Sequence, residues 1–188
     1  MKTLLSARYL VLAAALLPCS ISLLATSSAV AESASTQAPA GVLNREQAGA
    51  ILPEKVFYRG QSAPVQARNS AGVRFADSKL VLAALVDTSG YSSTVKETYQ
   101  AYLITEVPLL LGDKTLVPGA YGFGFIANET MVVLDLGANQ LFTTTTTHDA
   151  KLARPNPLQV LADPASPGRY RLYLGRSYVT FEAAPKQN

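Results

Sequence analysis

The sequence predicts an all-β domain, a two-layer antiparallel β-sandwich or partly closed barrel with one short N-terminal helix. Three observations carry that expectation. From Val56 onward, runs of Thr, Val, Tyr and Phe alternate with clusters of Gly, Pro, Asn and Asp, which is the punctuation of strands and turns. Two of those runs, residues 79–86 and 131–136, are almost continuously apolar, as strands covered on both faces are. Only one segment carries clear helix-start chemistry, and it lies ahead of all the strands.

The first 31 residues have the layout of an export signal. Lys2 and Arg8 precede the uncharged stretch 9–31, and Ala29-Val30-Ala31 ahead of Glu32 supplies a small-residue cleavage site. A stretch of that length reaches the ~20 residues needed to cross a bilayer. Pro18, Ser20, Ser22, Thr26, Ser27 and Ser28 dilute its second half, which favours a cleaved signal over a retained anchor. Lipidation at Cys19 would want a small residue before the cysteine, and Pro18 stands there. The expected address is therefore the periplasm or the extracellular space of a bacterium, with no membrane span after signal removal.

Cleavage changes the bulk properties. Of 16 basic residues, two leave with the signal, so 14 face 13 acidic ones and the net charge falls from +3 to +1. That balance implies no nucleic-acid surface. The single cysteine leaves as well, which removes disulfides, thiolate metal sites and thiol nucleophiles from consideration. Residues 32–41 are small and polar and read as a flexible leader. Residues 42–188 read as a single domain, which at this size buries roughly 68% of its extended surface without a staple.

Along the domain, Asn44 with Gln47 three residues on makes a capping box, and Pro53 stops the helix that follows. Seven to nine strands are expected after it. Residues 79–86 and 131–136 belong inside a sheet, and Gly112-Asp113 reverses residues 109–111 into 115–117. Two hairpins can be given a register. With Gly175-Arg176 as a type II′ turn, Leu174 faces Ser177, Tyr173 faces Tyr178, Leu172 faces Val179, Arg171 faces Thr180, Tyr170 faces Phe181 and Arg169 faces Glu182. With Asn128-Glu129 as a two-residue turn, Phe125 faces Val132, Phe123 faces Leu134 and Tyr121 faces Leu136. The other side of that hairpin then sets Gly122 opposite Asp135, a hollow of the kind that strand glycines leave for a ligand or a neighbouring backbone.

Both hairpins open with Pro-Gly-x-Tyr-x-apolar, at 118–123 and 167–172, which predicts type II turns at Pro118-Gly119 and Pro167-Gly168. The segment 114–121, Lys-Thr-Leu-Val-Pro-Gly-Ala-Tyr, resembles the turn-and-strand segment of several exported bacterial β-sandwich families. The resemblance covers about twenty residues and implies an immunoglobulin-like or related sandwich; it implies no active site.

Residues able to do chemistry are sparse. His148 is the only histidine, and no Gly-x-Ser-x-Gly elbow exists to pair it with Ser92 or Ser177, so an exposed strand-end histidine is the plainer expectation. One histidine without cysteine does not suit zinc, and no metal or other cofactor is expected. Asp87-Thr88-Ser89-Gly90 suits an ordinary turn better than calcium or an aspartic-protease loop, whose Asp-Thr-Gly it interrupts with an extra serine. The threonine run 143–147 reads as one β-branched strand. Asn128-Glu129-Thr130 is a glycosylation acceptor, expected to stay bare in a bacterium.

Two functions remain. The first is an interaction module whose unknown ligand, an envelope glycan or peptide, meets an exposed face built from Arg171, Tyr173 and Tyr178, where aromatic rings stack and guanidinium groups grip carboxylates. The second is an envelope hydrolase working through two of Asp87, Glu97, Glu106, Asp135 and Asp149, with the hollow lined by Asp135, Gly122 and Gly124 as its pocket.

Overall fold

A computed structural model describes residues 39–185. The expected signal and most of the expected leader lie outside them. Among the described residues, no helix is long and apolar enough to cross a membrane.

In chain order the elements are β1 Gly41–Leu43, α1 Arg45–Ile51, β2 Lys55–Tyr58, β3 Gln61–Arg74, β4 Leu80–Val86, α2 Ser93–Thr98, β5 Ala101–Thr105, β6 Leu109–Leu111, β7 Lys114–Leu116, β8 Gly119–Ile126, β9 Thr130–Leu134, β10 Gln140–Thr145, β11 Thr147–His148, β12 Leu158–Ala162, β13 Tyr170–Leu174 and β14 Ser177–Ala183. They form two antiparallel sheets without barrel closure. The larger has eight strands in the order β1-β3-β4-β5-β8-β9-β10, with β2 added to β3. The smaller runs β12-β13-β14-β6-β7, with β11 added to β14. The sandwich class is as expected, but the described residues form fourteen strands rather than seven to nine. Part of the surplus is β1 and β11, pieces of three and two residues that are too short for alternation to register.

The helix α1 forms where the capping box predicts. The Asn44 side chain accepts from the Gln47 amide at 2.9 Å, and the Gln47 side chain accepts from the Asn44 amide at 3.0 Å, so two otherwise orphaned N–H groups are satisfied reciprocally. A second, six-residue helix, α2, lies between β4 and β5. Its Ser-Thr-rich sequence has little helix propensity, and what holds it is Val95, buried against the sheet.

The core has two compartments. Between the sheets, Val73, Val81, Leu103, Phe123, Met131 and Val133 of the larger sheet meet Leu109, Leu111, Val160, Leu172, Val179 and Phe181 of the smaller. On the outer face of the larger sheet, α1 covers Leu82 and Ala84, while the β2–β3 hairpin and α2 cover Val132 and Leu134 with Tyr58, Tyr91 and Tyr99. The apolar sequences of β4 and β9 follow from this double cover.

The C-terminal hairpin takes the expected register: Leu174 pairs with Ser177, Tyr173 with Tyr178, Leu172 with Val179, Arg171 with Thr180 and Tyr170 with Phe181. Gly175 supplies the positive φ, 62°, that its two-residue turn requires. The β8–β9 hairpin is one residue out of the expected register. Ile126 pairs with Thr130 and Phe123 with Val133, because the turn has three residues, Ala127, Asn128 and Glu129, of which Asn128 and Glu129 have φ of 62° and 51°. The slip exchanges the faces of β9: Met131 and Val133 join Phe123 between the sheets, and Val132 and Leu134 face outward.

Of the two Pro-Gly turns, Gly168 has the positive φ, 84°, of the expected type II geometry. Gly119 does not. It opens β8 opposite Thr105, and its missing side chain makes room for Tyr121, whose hydroxyl donates back to the Val117 carbonyl at 2.9 Å.

Candidate functional site

The outer face of the smaller sheet brings together the three side chains expected to form a ligand platform. Alternation along β13 and β14 places Arg171, Tyr173 and Tyr178 on one side, with the Tyr173 and Tyr178 rings 5.0 Å apart. The Arg171 guanidinium lies 4.7 Å from the centre of the Tyr178 ring, within cation–π range, and its Nη2 donates to Asp163 Oδ1 at 2.7 Å. Arg169 reaches Glu182 across the hairpin at 3.2 Å.

The platform is covered, however. Tyr173 is only 1% exposed, because residues 149–157 cross it as a strap. Its hydroxyl donates to Asp149 Oδ2 at 2.9 Å. Arg176 donates to the Leu152 carbonyl at 2.6 Å, and the Gly175 amide donates to the Pro157 carbonyl at 3.0 Å. Burial raises the Tyr173 pKa. The bond from Tyr173 is the chief reason the Asp149 carboxyl sits below its ordinary value. Beside Arg171, a shallow depression walled by Lys151, Leu152, Leu161 and Pro164 stays open.

The hollow expected at Asp135, Gly122 and Gly124 is filled. A side chain on Gly122 would lie 2.8 Å from the Tyr99 ring and 2.9 Å from the Tyr58 ring, which stack with centres 3.7 Å apart. One on Gly124 would collide with the Thr98 carbonyl at the end of α2. Asp135 lies beyond β9 in an exposed turn, where its carboxylate accepts from the Asn139 backbone and side-chain amides at 2.8 and 2.9 Å. The glycines thus signal close approach, and the approaching groups belong to the protein itself.

Two more of the candidate carboxylates are engaged by backbone amides, while the Glu97 side chain, on α2, makes no hydrogen bond or ion pair among the described residues. Asp87 accepts from the Ser89 amide at 2.9 Å within a turn, and Glu106 accepts from the Leu80 amide at 2.8 Å. Hydrogen bonds hold Asp87, Asp135 and Asp149 below their ordinary pKa, from the Ser89 amide, the Asn139 side chain and the Tyr173 hydroxyl respectively. A glycosidase general acid needs the opposite shift. His148 ends β11, exposed, across the ladder from Ser177, and the carboxylate that follows it is held by Tyr173. No cluster of three metal-ligating side chains occurs among the described residues.

What the sequence does not disclose is a cleft of about 570 Å³ where the two sheets part. One wall is β12; the other is made by β1, the start of α1 and residues 68–71 of β3. Residues 66–69 leave the β3–β4 ladder, since the register jumps between Val65 and Ser70, and this excursion carries Arg68 and Asn69 to the cleft. Arg45 and Glu46 at its mouth are paired at 2.8 Å. Arg68 has no ion-pair partner among the described residues. Val42 and Leu161, 39% and 38% exposed, add apolar surface. The register jump that forms the excursion arises from long-range pairing, so no local motif announces it.

Comparison of the chain with known protein families, characterised proteins and solved structures finds no match.

Proposed function

We propose that this chain is an interaction module that works outside the cytoplasm, with its ligand seated in the cleft between the two sheets. The export layout of residues 1–31 supports the location. The observation that carries the binding reading is the cleft itself: a concavity large enough for part of an extended chain, combining a guanidinium group without an ion-pair partner among the described residues, amides and exposed aliphatic side chains, which is the mixture binding sites use. Arg45 and Arg68 outnumber Glu46 there, so the ligand class that fits is an envelope glycan or peptide bearing a carboxylate, gripped by Arg68 as guanidinium groups grip such ligands.

Relative to this cleft, the Arg171 and Tyr178 face is a poorer candidate because its guanidinium is already committed to Asp163. The carboxylate-hydrolase reading draws no support from Asp87, Glu106, Asp135 and Asp149, each of which is held by a hydrogen bond within the fold.

An NMR titration of the isotope-labelled protein with peptidoglycan fragments and with anionic oligosaccharides tests the proposal. Shifts should concentrate at Val42, Arg68 and Leu161, and Arg68→Ala should weaken binding about tenfold, the size of a lost charge-assisted hydrogen bond. Shifts confined to Arg171 and Tyr178, or an Arg68→Ala variant that binds as before, would overturn the cleft assignment.

A further inference from the structure

Each sheet end is a row of backbone groups that native proteins normally blunt with charge, shortness or cover. Most of the edges here are protected in one of those ways. β1 is three residues long. β2 carries Lys55, and β7 carries Lys114. β12 is packed down, with Leu158 and Val160 only 3% and 4% exposed. The edge of β10 is different: Gln140, Leu141, Thr143 and Thr145 are all exposed, and no Asp, Glu, Lys or Arg occurs anywhere in residues 136–148.

Which backbone groups are free follows from the ladder. The Thr146 amide donates to the Glu129 carbonyl at 2.7 Å, and β10 pairs with β9 as Thr145 to Thr130 and Thr143 to Val132. In an antiparallel pair, alternate residues bond to the same neighbour. Phe142 and Thr144 therefore point their N–H and C=O groups at β9, and Thr143 and Thr145 point theirs at the open side. A bulge between Gln140 and Phe142 ends the regular edge at one side, and the handover to β11 ends it at the other.

We propose that this edge is an interface between two copies of the chain, with β10 pairing antiparallel to β10 about a two-fold axis through Thr144. Thr143 then faces the partner subunit's Thr145, and Thr145 faces the partner subunit's Thr143. Each is a hydrogen-bonded pair exchanging two bonds, and the two larger sheets join edge to edge. An uncharged threonine strand is self-complementary in a way that a charged edge is not, since β-branched pairs match across strands and no like charges oppose.

The ionised pair bonded to Thr144 suits a second copy rather than a charged partner. Asp113 accepts from the Thr144 hydroxyl at 2.9 Å and is paired with Lys114 at 2.7 Å. The two charges beside Thr144 thus neutralise each other within one copy, and no net charge stands against a second copy there. This interface is separate from the cleft and does not depend on the function proposed for it.

Light scattering and hydrogen exchange on the purified protein, from dilute to concentrated solution, decide the matter. The mass should rise reversibly towards twice that of the monomer, and the Thr143 and Thr145 amides, unprotected when dilute, should become protected as it rises. Thr143→Lys with Thr145→Lys should weaken association at least about tenfold and leave the circular dichroism spectrum unchanged. Because the exchange measurement uses the unaltered chain, it stands even where the variant folds poorly. A monomer at every concentration would overturn the proposal, as would a dimer that leaves those two amides unprotected or that survives both lysines.

Discussion

Tyrosines are buried over the outer face of each sheet by different means. Over the larger sheet, Tyr58 and Tyr99 stack, and Tyr91 meets each edge-on at 5.9 and 5.6 Å, the rings being contributed by β2 and by the residues flanking α2 that cover the sheet. The Tyr91 hydroxyl finds the Tyr58 carbonyl at 3.0 Å, but the fully buried Tyr99 hydroxyl has no partner among the described residues. On the smaller sheet the cover is polar: Tyr173 is held by Asp149, Arg171 by Asp163, and Tyr178 stays half-buried beneath the guanidinium. The first cluster is closed by apolar packing, and the second by charge-assisted bonds. A cluster of aromatic side chains in the sequence therefore does not say whether a ligand reaches it; what packs around the cluster decides.

Four tests sharpen or break this comparison. The largest effect is expected for Tyr173→Ala, which empties a fully buried site and should cost about 3–5 kcal/mol in denaturant unfolding, well beyond Tyr178→Ala. Equal, small losses for the two would mean that the strap does not cover Tyr173. Next is Gly122→Ala, whose new methyl meets two rings that are themselves packed; about 1–3 kcal/mol of destabilisation should accompany a changed near-ultraviolet tyrosine signal, and an unaltered signal would mean that the stack lies elsewhere.

Third, Tyr173→Phe removes the bond that lowers the Asp149 pKa. A depressed folded-state value contributes stability above the unfolded pKa of about 4 and loses it as pH falls through the folded value. The wild type should therefore lead the variant at neutral pH and lose that lead below about pH 4; a gap independent of pH would assign the difference to packing alone. The smallest effect is expected for Tyr99→Phe, which deletes an unpartnered buried hydroxyl and should be neutral or stabilising by up to about 1 kcal/mol, whereas Tyr91→Phe loses a made bond and should cost about 1 kcal/mol. A clear loss in Tyr99→Phe would show that its hydroxyl is bonded after all.

Local chemistry in the sequence carries much of the fold. Asn44 and Gln47 specify α1 through neighbouring atoms, and Gly175 fixes the last hairpin because a glycine with positive φ leaves a two-residue turn. Asn128-Glu129 lacks such a glycine, and a third residue entering the turn shifts β9 by one position. Pro118-Gly119 has the same letters as Pro167-Gly168, yet the ladder to β5 draws Gly119 into extended backbone. The candidate site is less legible. Arg171, Tyr173 and Tyr178 share a face as alternation requires, but the strap over them arrives from 24 residues earlier in the chain, at Asp149. Gly122 and Gly124 announce close contact without naming what makes it. The cleft depends on an excursion in β3 that only the completed sheet defines.

The stretch 140–148 belongs to both sheets, since β10 is bonded to β9 on one side and β11 to β14 on the other. A continuous stretch that passes directly from one ladder to the other ties the layers together, so loss of either ladder loosens the other. Heat or denaturant should then produce one cooperative transition, with the amides of β9 and β14 released to solvent in step. A protein built of two sheets behaves, by this account, as a single unit of unfolding.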